Sequence, residues 1–110
     1  MDIELRELKK EFLEEAEAKI VEIKSRINGD GGGKPSPESM QRVGDLAHQL
    51  KGAGGSYGYA EISSHAAKLE DAIESLNHGE ADAESVLEQL VETLATEIIS
   101  RRKAIVSGSA

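Results

Sequence analysis

The sequence predicts an all-α protein, an antiparallel four-helix bundle with up-down-up-down connectivity. Four segments carry apolar residues at intervals of three and four positions, which places those residues on one face of a helix. No segment shows sustained alternation of apolar and polar residues, so no strand is predicted. The links between the segments are mostly short, and helices joined by short links pack as antiparallel neighbours.

The first helix is predicted from about residue 2 to residue 27, and a flexible loop is predicted over residues 28–37. The apolar stripe of this helix comprises Leu5, Leu8, Phe12, Ala16, Ile20, Ile23 and Ile27. Six of the ten loop positions are glycine or proline. A phosphate-binding loop is disfavoured, because no strand precedes it and no Gly-Lys-Ser/Thr motif follows with the required spacing.

The second helix is predicted over residues 38–56, with Ser36 as the N-cap and Pro37 at the first helical position. It ends between Gly55 and Gly58, where glycine becomes frequent. The buried stripe of this helix comprises Met40, Val43, Leu46, Ala47 and Leu50.

The third helix is predicted over residues 60–77 and the fourth over residues 82–106, followed by a disordered tail at 107–110. Gly79 is expected to end the third helix, and Asp82 to cap the fourth. The third stripe comprises Ile62, Ala66, Leu69, Ile73 and Leu76. The fourth comprises Leu87, Leu90 or Val91, Leu94, Ile98 and Ile105.

Composition limits the classes of function that this chain can have. Its 110 residues predict a single domain, and the net charge of −8 argues against nucleic acid as a partner. The absence of cysteine excludes disulfides and thiol chemistry. Without an apolar run of about 20 residues or a secretory signal, we expect a cytoplasmic protein that does not enter a membrane.

His48 is the main candidate for a functional residue. If each helical residue advances about 100°, His48 points away from the buried stripe of the second helix and stands in water. Gly44, Gly52 and Gly55 bracket it, and Lys51 lies one turn along on the same flank. Because each glycine costs a helix about 1 kcal/mol relative to alanine, such a cluster indicates the close approach of another molecule.

The stretch around His48 resembles the signature of histidine-containing phosphotransfer (HPt) domains, A-H-x-L-K-G-x-x-x-x-x-G. The matching residues are Ala47, His48, Leu50, Lys51, Gly52 and Gly58. Ile62 and the pair Leu69-Glu70 fit the next helix of that family. Phe12 and the Leu-Glu-Glu-Ala run after it are similar to the amino-terminal helix of phosphotransfer domains in chemotaxis kinases.

The sequence departs from the family pattern at three positions near the histidine. Gly54 and Gly55 stand where serine or alanine is more usual, and Asp45 places a carboxylate one turn before His48. The glycines are expected to loosen that turn. Asp45 is expected either to repel phosphate slightly or to orient the imidazole ring.

The resemblance implies a phosphorelay carrier that is not itself an enzyme. His48 would be phosphorylated on Nε2, and its partners would be a response-regulator receiver domain, a sensor histidine kinase, or both. No cofactor is expected, because the receiver would bind the divalent metal and no nucleotide-binding pattern occurs in the chain. The protein is expected to be a monomer, since each helix has a single apolar stripe.

The residue types around His48 suit this chemistry. A neutral imidazole is a good nucleophile at physiological pH, and Lys51 can offset the charge of a phosphoryl group. Gly52 lets a partner backbone approach, and Gly44 and Gly55 extend the same contact surface. Gln41 or Gln49 would supply a hydrogen bond at its edge.

Other interpretations remain open. A non-transferring helical adaptor would dock receivers or another helical partner without accepting phosphate, and a metal-dependent bundle enzyme would need a cluster of ligands. His65 is expected to pack against the second helix, and His78 to lie in a turn. A metal site built from the three histidines is disfavoured, because their spacings of 17 and 13 residues lack the short pairings typical of helical metal motifs. Ala53, Tyr57 and Tyr59 either border the docking surface or, for the tyrosines, plug the end of the bundle.

Overall fold

A computed structural model describes residues 3–28, 35–77 and 83–108 of the chain. It contains four helices, α1 (Ile3–Asn28), α2 (Pro37–Ser56), α3 (Ala60–Asn77) and α4 (Ala83–Val106). Each bound lies within one residue of the sequence prediction. None of these four helices combines the length and the apolar composition needed to cross a lipid bilayer.

The helices form a closed ring in which each packs against two others: α1 against α2 and α4, and α3 against α2 and α4. The side chain of Arg6, near the start of α1, donates to the carbonyl oxygen of Ile105, near the end of α4, over 2.8 Å. Farther along, Lys24 pairs with Glu92 at 2.9 Å. These contacts fix an antiparallel register between α1 and α4, and the predicted all-α bundle is confirmed.

The predicted stripe of α1 is wrong at its first two members. Leu5 and Leu8 are 41% and 48% exposed, because they precede the level at which Phe12 and the α2–α3 turn close the bundle. Leu13, which the sequence analysis left out, is fully buried. Since α1 contacts both α2 and α4, its buried arc is wider than a single stripe and takes in this neighbour of Phe12.

The other three helices bury the stripes that their spacing predicts, with small differences at the ends. In α4, Val91 rather than Leu90 is the buried alternative, at 3% exposure, and Leu90 is only partly buried. Leu76 of α3 is also partly buried. Ala95 joins the core without having been predicted.

Backbone hydrogen bonds and side-chain caps define both ends of α2. Ser36 accepts a hydrogen bond from the backbone N–H of Ser39 at 3.1 Å, so the predicted N-cap is confirmed. At the other end Gly58 has φ of +84°, a left-handed conformation that glycine adopts without strain. The N–H of Tyr59 donates to the carbonyl of Gly54, and that of Gly58 to Gly55, which makes a Schellman motif.

Several predictions fall wholly or partly outside the described residues. These are most of the loop at 28–37, the turn containing His78 and Gly79, and the Asp82 cap. Of the predicted tail, the structure describes Ser107 and Gly108, which form a turn after α4 with N–H groups bonded to Lys103 and Ile105 carbonyls.

Candidate functional site

His48 projects from the solvent-facing side of α2. Its side chain is 68% exposed, whereas the adjacent Ala47 and the nearby Leu50 are fully buried. The difference follows from the helical advance of about 100° per residue, which turns His48 away from the core-facing side that Ala47 and Leu50 share. The expected reachable imidazole is therefore present, and its backbone is anchored by neighbours in the core.

Glu70 of α3 holds the imidazole from the side. Its Oε2 lies 2.8 Å from Nδ1 of His48, and its Oε1 lies 3.4 Å from Nζ of Lys51. Glu70 fits the family pattern by sequence, but it was not among the predicted site residues. The sequence offered part of the signal, because Glu70 follows Leu69 of the buried stripe, but its pairing with His48 also depends on the α2–α3 register.

The contact with Glu70 assigns different roles to the two ring nitrogens. A carboxylate only accepts hydrogen bonds, so Nδ1 of His48 must be the donor. In the neutral ring the lone pair then resides on Nε2. The atom that can attack an electrophile is thus the one on the other side of the ring from α3.

Lys51 forms an ion pair with Glu70, although the lysine side chain remains 46% exposed. Ion pairs at this level of exposure contribute about 0–1 kcal/mol. Lys51 can therefore exchange Glu70 for an arriving anion at little cost in free energy.

The glycines around His48 have different structural roles. A Cβ built on Gly52 would have no neighbour within 4 Å, whereas one on Gly44 or Gly55 would touch α3 at ordinary distances of 3.8 Å and 3.7 Å. Gly54 is buried, and its Cβ would lie only 3.1 Å from the backbone nitrogen of Ser63. Gly54 therefore sets a close α2–α3 approach, rather than loosening the turn as the sequence suggested.

The remaining predicted site residues lie on the exposed surface of α2. Gln41 donates to Asp45 from its side-chain amide, with 3.4 Å between nitrogen and carboxylate oxygen. Gln49 is exposed beside His48. Ser63, which the sequence analysis missed, donates from its hydroxyl to the carbonyl of Lys51 at 2.8 Å and ties the two helices together one turn from His48.

A protein-family model described as the Hpt domain matches residues 7–100. The chain belongs to the Hpt domain family. The match includes α2 and α3 entirely and most of α1 and α4, so it covers the bundle as well as the histidine motif. No curated protein and no solved structure gives a significant match to the chain.

The tyrosines of this Hpt domain plug the end of the bundle. The ring of Phe12 stacks with those of Tyr57 and Tyr59, at centroid distances of 5.2 Å and 5.9 Å. Burial raises the pKa of the Tyr59 hydroxyl, and the charge of Arg101 acts in the opposite direction. Of the two roles that the sequence left open for the tyrosines, the plug is the one that the structure shows.

His65 does not pack against α2, contrary to the prediction. It lies over a groove between α3 and α4, together with Thr93, Thr96 and other residues of α4. Its Nε2 is 3.9 Å from the carboxylate of Glu61, and its side chain is 19% exposed. The prediction failed because His65 sits on the flank of the α3 stripe that turns toward α4.

Within the described ranges, no group of three or more potential ligands could hold a metal ion.

Proposed function

We propose that this Hpt domain is a phosphorelay carrier in which His48 accepts a phosphoryl group and passes it to or from an aspartate of a receiver domain. A sensor histidine kinase is the other candidate donor. The observation that carries the proposal is the exposed imidazole whose Nδ1 is bonded to Glu70, which leaves Nε2 free. A monomeric state and a cytoplasmic location belong to the same proposal.

The transfer step needs one nucleophile and one leaving group. The Nε2 lone pair of His48 attacks the phosphorus of an aspartyl phosphate, a nitrogen–phosphorus bond forms, and the phosphorus–oxygen bond to aspartate breaks. The aspartate leaves as a carboxylate, so no external acid is required. The reverse sequence returns the phosphoryl group to an aspartate.

Glu70 stabilises the charge that this step creates on the ring. When Nε2 bonds to phosphorus while Nδ1 keeps its proton, the imidazole becomes cationic. The carboxylate of Glu70, 2.8 Å from Nδ1, compensates that charge and keeps the ring in the reactive tautomer. A buried carboxylate has the same relation to histidine in hydrolase triads. Glu70 is a positioning residue, because it acts through His48.

Lys51 would leave Glu70 and pair with the phosphoryl group once that group is on His48. Its ammonium is held by a weak, partly exposed pair with Glu70, so the two negative charges of a phosphohistidine can attract it away. The residues of this chain thus supply a nucleophile, its orienting carboxylate and one mobile cation. The divalent metal and the rest of the catalytic groups would come from the partner receiver.

The deciding experiment is phosphotransfer from a receiver domain charged with radiolabelled phosphate. The wild-type chain should acquire acid-labile phosphate, and His48→Gln should abolish the labelling. His65→Gln is the matched control, since His65 is a second histidine of the bundle outside the site, and this variant should be labelled like the wild type.

The same experiment separates the carrier from the adaptor. An adaptor would bind the receiver without taking up phosphate, and His48→Gln would leave its affinity unchanged. Equal labelling of wild type and His48→Gln would place the phosphoryl group elsewhere and end the proposal.

A further inference from the structure

The surface around His48 has two unlike sides. On the side toward the C-terminus of α2 lie Gly52, Gly55 and Ala67, which we call the glycine side. On the side toward the N-terminus of α2 lie Asp45 and Glu74, which we call the acidic side. All of these residues are exposed except Ala67, which is half-buried.

The α2–α3 register places both sides next to the histidine. Glu70 contacts His48, and Glu74 follows it by one turn on the same flank of α3. The nearby approach of Gly44 to Ile73, where a Cβ would lie 3.8 Å from the isoleucine, shows that α3 runs beside α2 at this level. Asp45 precedes His48 by one turn of α2 itself.

The cations of the two helices do not neutralise the acidic side. Arg42 of α2 pairs with Glu22 of α1 at 3.1 Å, and Lys51 pairs with Glu70 on the other side of the histidine. Lys68 of α3 lies two residues before Glu70, which turns it about 200° around the helix toward the opposite flank. Asp45 accepts only a neutral amide hydrogen bond, and the structure gives Glu74 no ion pair within the described residues.

The glycine side has the opposite character. Its three residues are uncharged, the adjacent Lys51 is offset by its pair with Glu70, and around Gly52 a Cβ would meet nothing within 4 Å. A partner backbone or a small apolar side chain can therefore approach closely there. A partner that covers His48 meets this open neutral surface on one side and two uncompensated carboxylates on the other.

We infer that the Hpt domain selects receiver domains that carry lysine or arginine on one side of the phosphorylated aspartate and a small, uncharged surface on the other. The inference rests on the proposed function. Complementary charges raise the rate of encounter, and like charges placed opposite each other in a closed interface disfavour the complex. The asymmetry also fixes the orientation of the receiver over His48, because only one rotation brings its cations over Asp45 and Glu74.

The test uses one receiver domain in two forms, prepared as aspartyl phosphates. The first has surface lysines beside the phosphorylation pocket, and the second has those lysines replaced by glutamate. The Hpt variant Asp45→Asn/Glu74→Gln removes the acidic side. Its matched control, Glu15→Gln/Glu88→Gln, removes the same charge from exposed positions on α1 and α4.

With the lysine form, the apparent second-order rate constant of transfer should fall about tenfold in the acidic-side variant at low salt and stay unchanged in the control. The difference should vanish at 1 M salt, where the screening length is about 3 Å. With the glutamate form, wild type should be slow and the acidic-side variant faster. Equal rates for both receiver forms in all three Hpt proteins would overturn the inference.

A small phosphoramidate donor, which needs no docking, separates this outcome from failure of the proposed function. Phosphoramidate should label His48 in wild type and in both variants. If phosphoramidate labels His48 while the rate of transfer from the receiver does not depend on the surface charges of either protein, only the docking inference is wrong. If no donor labels His48, the carrier function itself is wrong.

Discussion

Glu70 and His48 are 22 positions apart in the chain, yet a hydrogen bond of 2.8 Å joins their side chains. The bond crosses from α2 to α3, so it depends on the spacing and register of two helices as well as on residue type. Two nearby features maintain that spacing: the close approach at Gly54 and the bond from Ser63 to the Lys51 carbonyl. The reactivity of the histidine is thereby coupled to the packing of the bundle.

Glu70→Ala should slow phosphorylation of His48 about tenfold or more without unfolding the protein. The substitution removes the acceptor that fixes the Nδ1–H tautomer and the charge that stabilises a cationic ring. Nitrogen NMR of the neutral imidazole should show a larger share of the Nε2–H tautomer than in wild type. Phosphorylation rates with a small phosphoramidate donor give the functional measurement.

Glu70→Gln is the informative companion, because its amide oxygen can still accept from Nδ1 but carries no charge. We expect it to keep the wild-type tautomer and to recover only part of the rate. Full activity in Glu70→Ala would show that His48 needs no orientation by α3.

Gly54→Ala should destabilise the bundle relative to Gly52→Ala. Both substitutions gain helix propensity of about 1 kcal/mol. At Gly54 the new methyl would lie 3.1 Å from the Ser63 nitrogen and 3.2 Å from the Ile62 side chain, whereas at Gly52 it meets nothing within 4 Å. Overpacking of this kind costs about 1–3 kcal/mol, and we expect that difference between the two variants in urea unfolding. Equal stabilities would contradict a packing role for Gly54.

The sequence predicted the bundle well because helical periodicity is a local property. Ser36 and Pro37 mark the start of α2, and the single apolar stripe of each helix predicts most of the buried core. The wrong predictions concern residues whose burial depends on where the neighbouring helices lie. Leu5 and Leu8 fit the stripe of α1 but lie beyond the level of Phe12, where the bundle ends, and spacing carries no information about that level.

The site residues on α2 were predictable from the sequence, whereas the contribution of α3 was harder to predict. His48, Lys51 and Gly52 fall on one face by spacing alone. Glu70 could be placed beside His48 only with the α2–α3 register, which depends on the length of the turn between them. Gly54 and Gly55 are adjacent and both face Ser63, but Gly54 is buried with its Cβ position 3.1 Å from the Ser63 backbone nitrogen, whereas Gly55 is exposed and 3.7 Å from the Ser63 hydroxyl, a difference that spacing does not predict.

Ser36→Ala should lower the free energy of unfolding by about 1 kcal/mol. Ser36 accepts from the N–H of Ser39, one of the N-terminal groups of α2 that no helical carbonyl satisfies. Ser36→Asp should retain the stability, because aspartate is also a good N-cap and its charge is favourable at a helix N-terminus. Chemical unfolding of the three proteins under one condition is the measurement. A Ser36→Ala protein as stable as Ser36→Asp would show that the cap contributes nothing.

Glu22 should make the stability of the bundle depend on acid pH. Hydrogen bonds from Arg42, and then from Arg26, lower the pKa of its carboxyl in the folded state. The Arg42 bond joins α1 to α2 at 3.1 Å. Because the folded pKa lies below the unfolded one, the contribution is fully present above the ordinary glutamate value. It is lost as the pH falls through the folded pKa.

Glu22→Gln should therefore be less stable than wild type at pH 7, and the gap should narrow below about pH 4. Glu15→Gln, which removes one charge from an exposed position on the same helix, is the matched control. Because the Glu22 pairs are partly exposed, added salt should shrink the gap at pH 7 as well. Urea unfolding of the three proteins across this pH range is the measurement. A gap of constant size from pH 7 to pH 3 would mean that the Arg42 and Arg26 contacts do not stabilise the charged form.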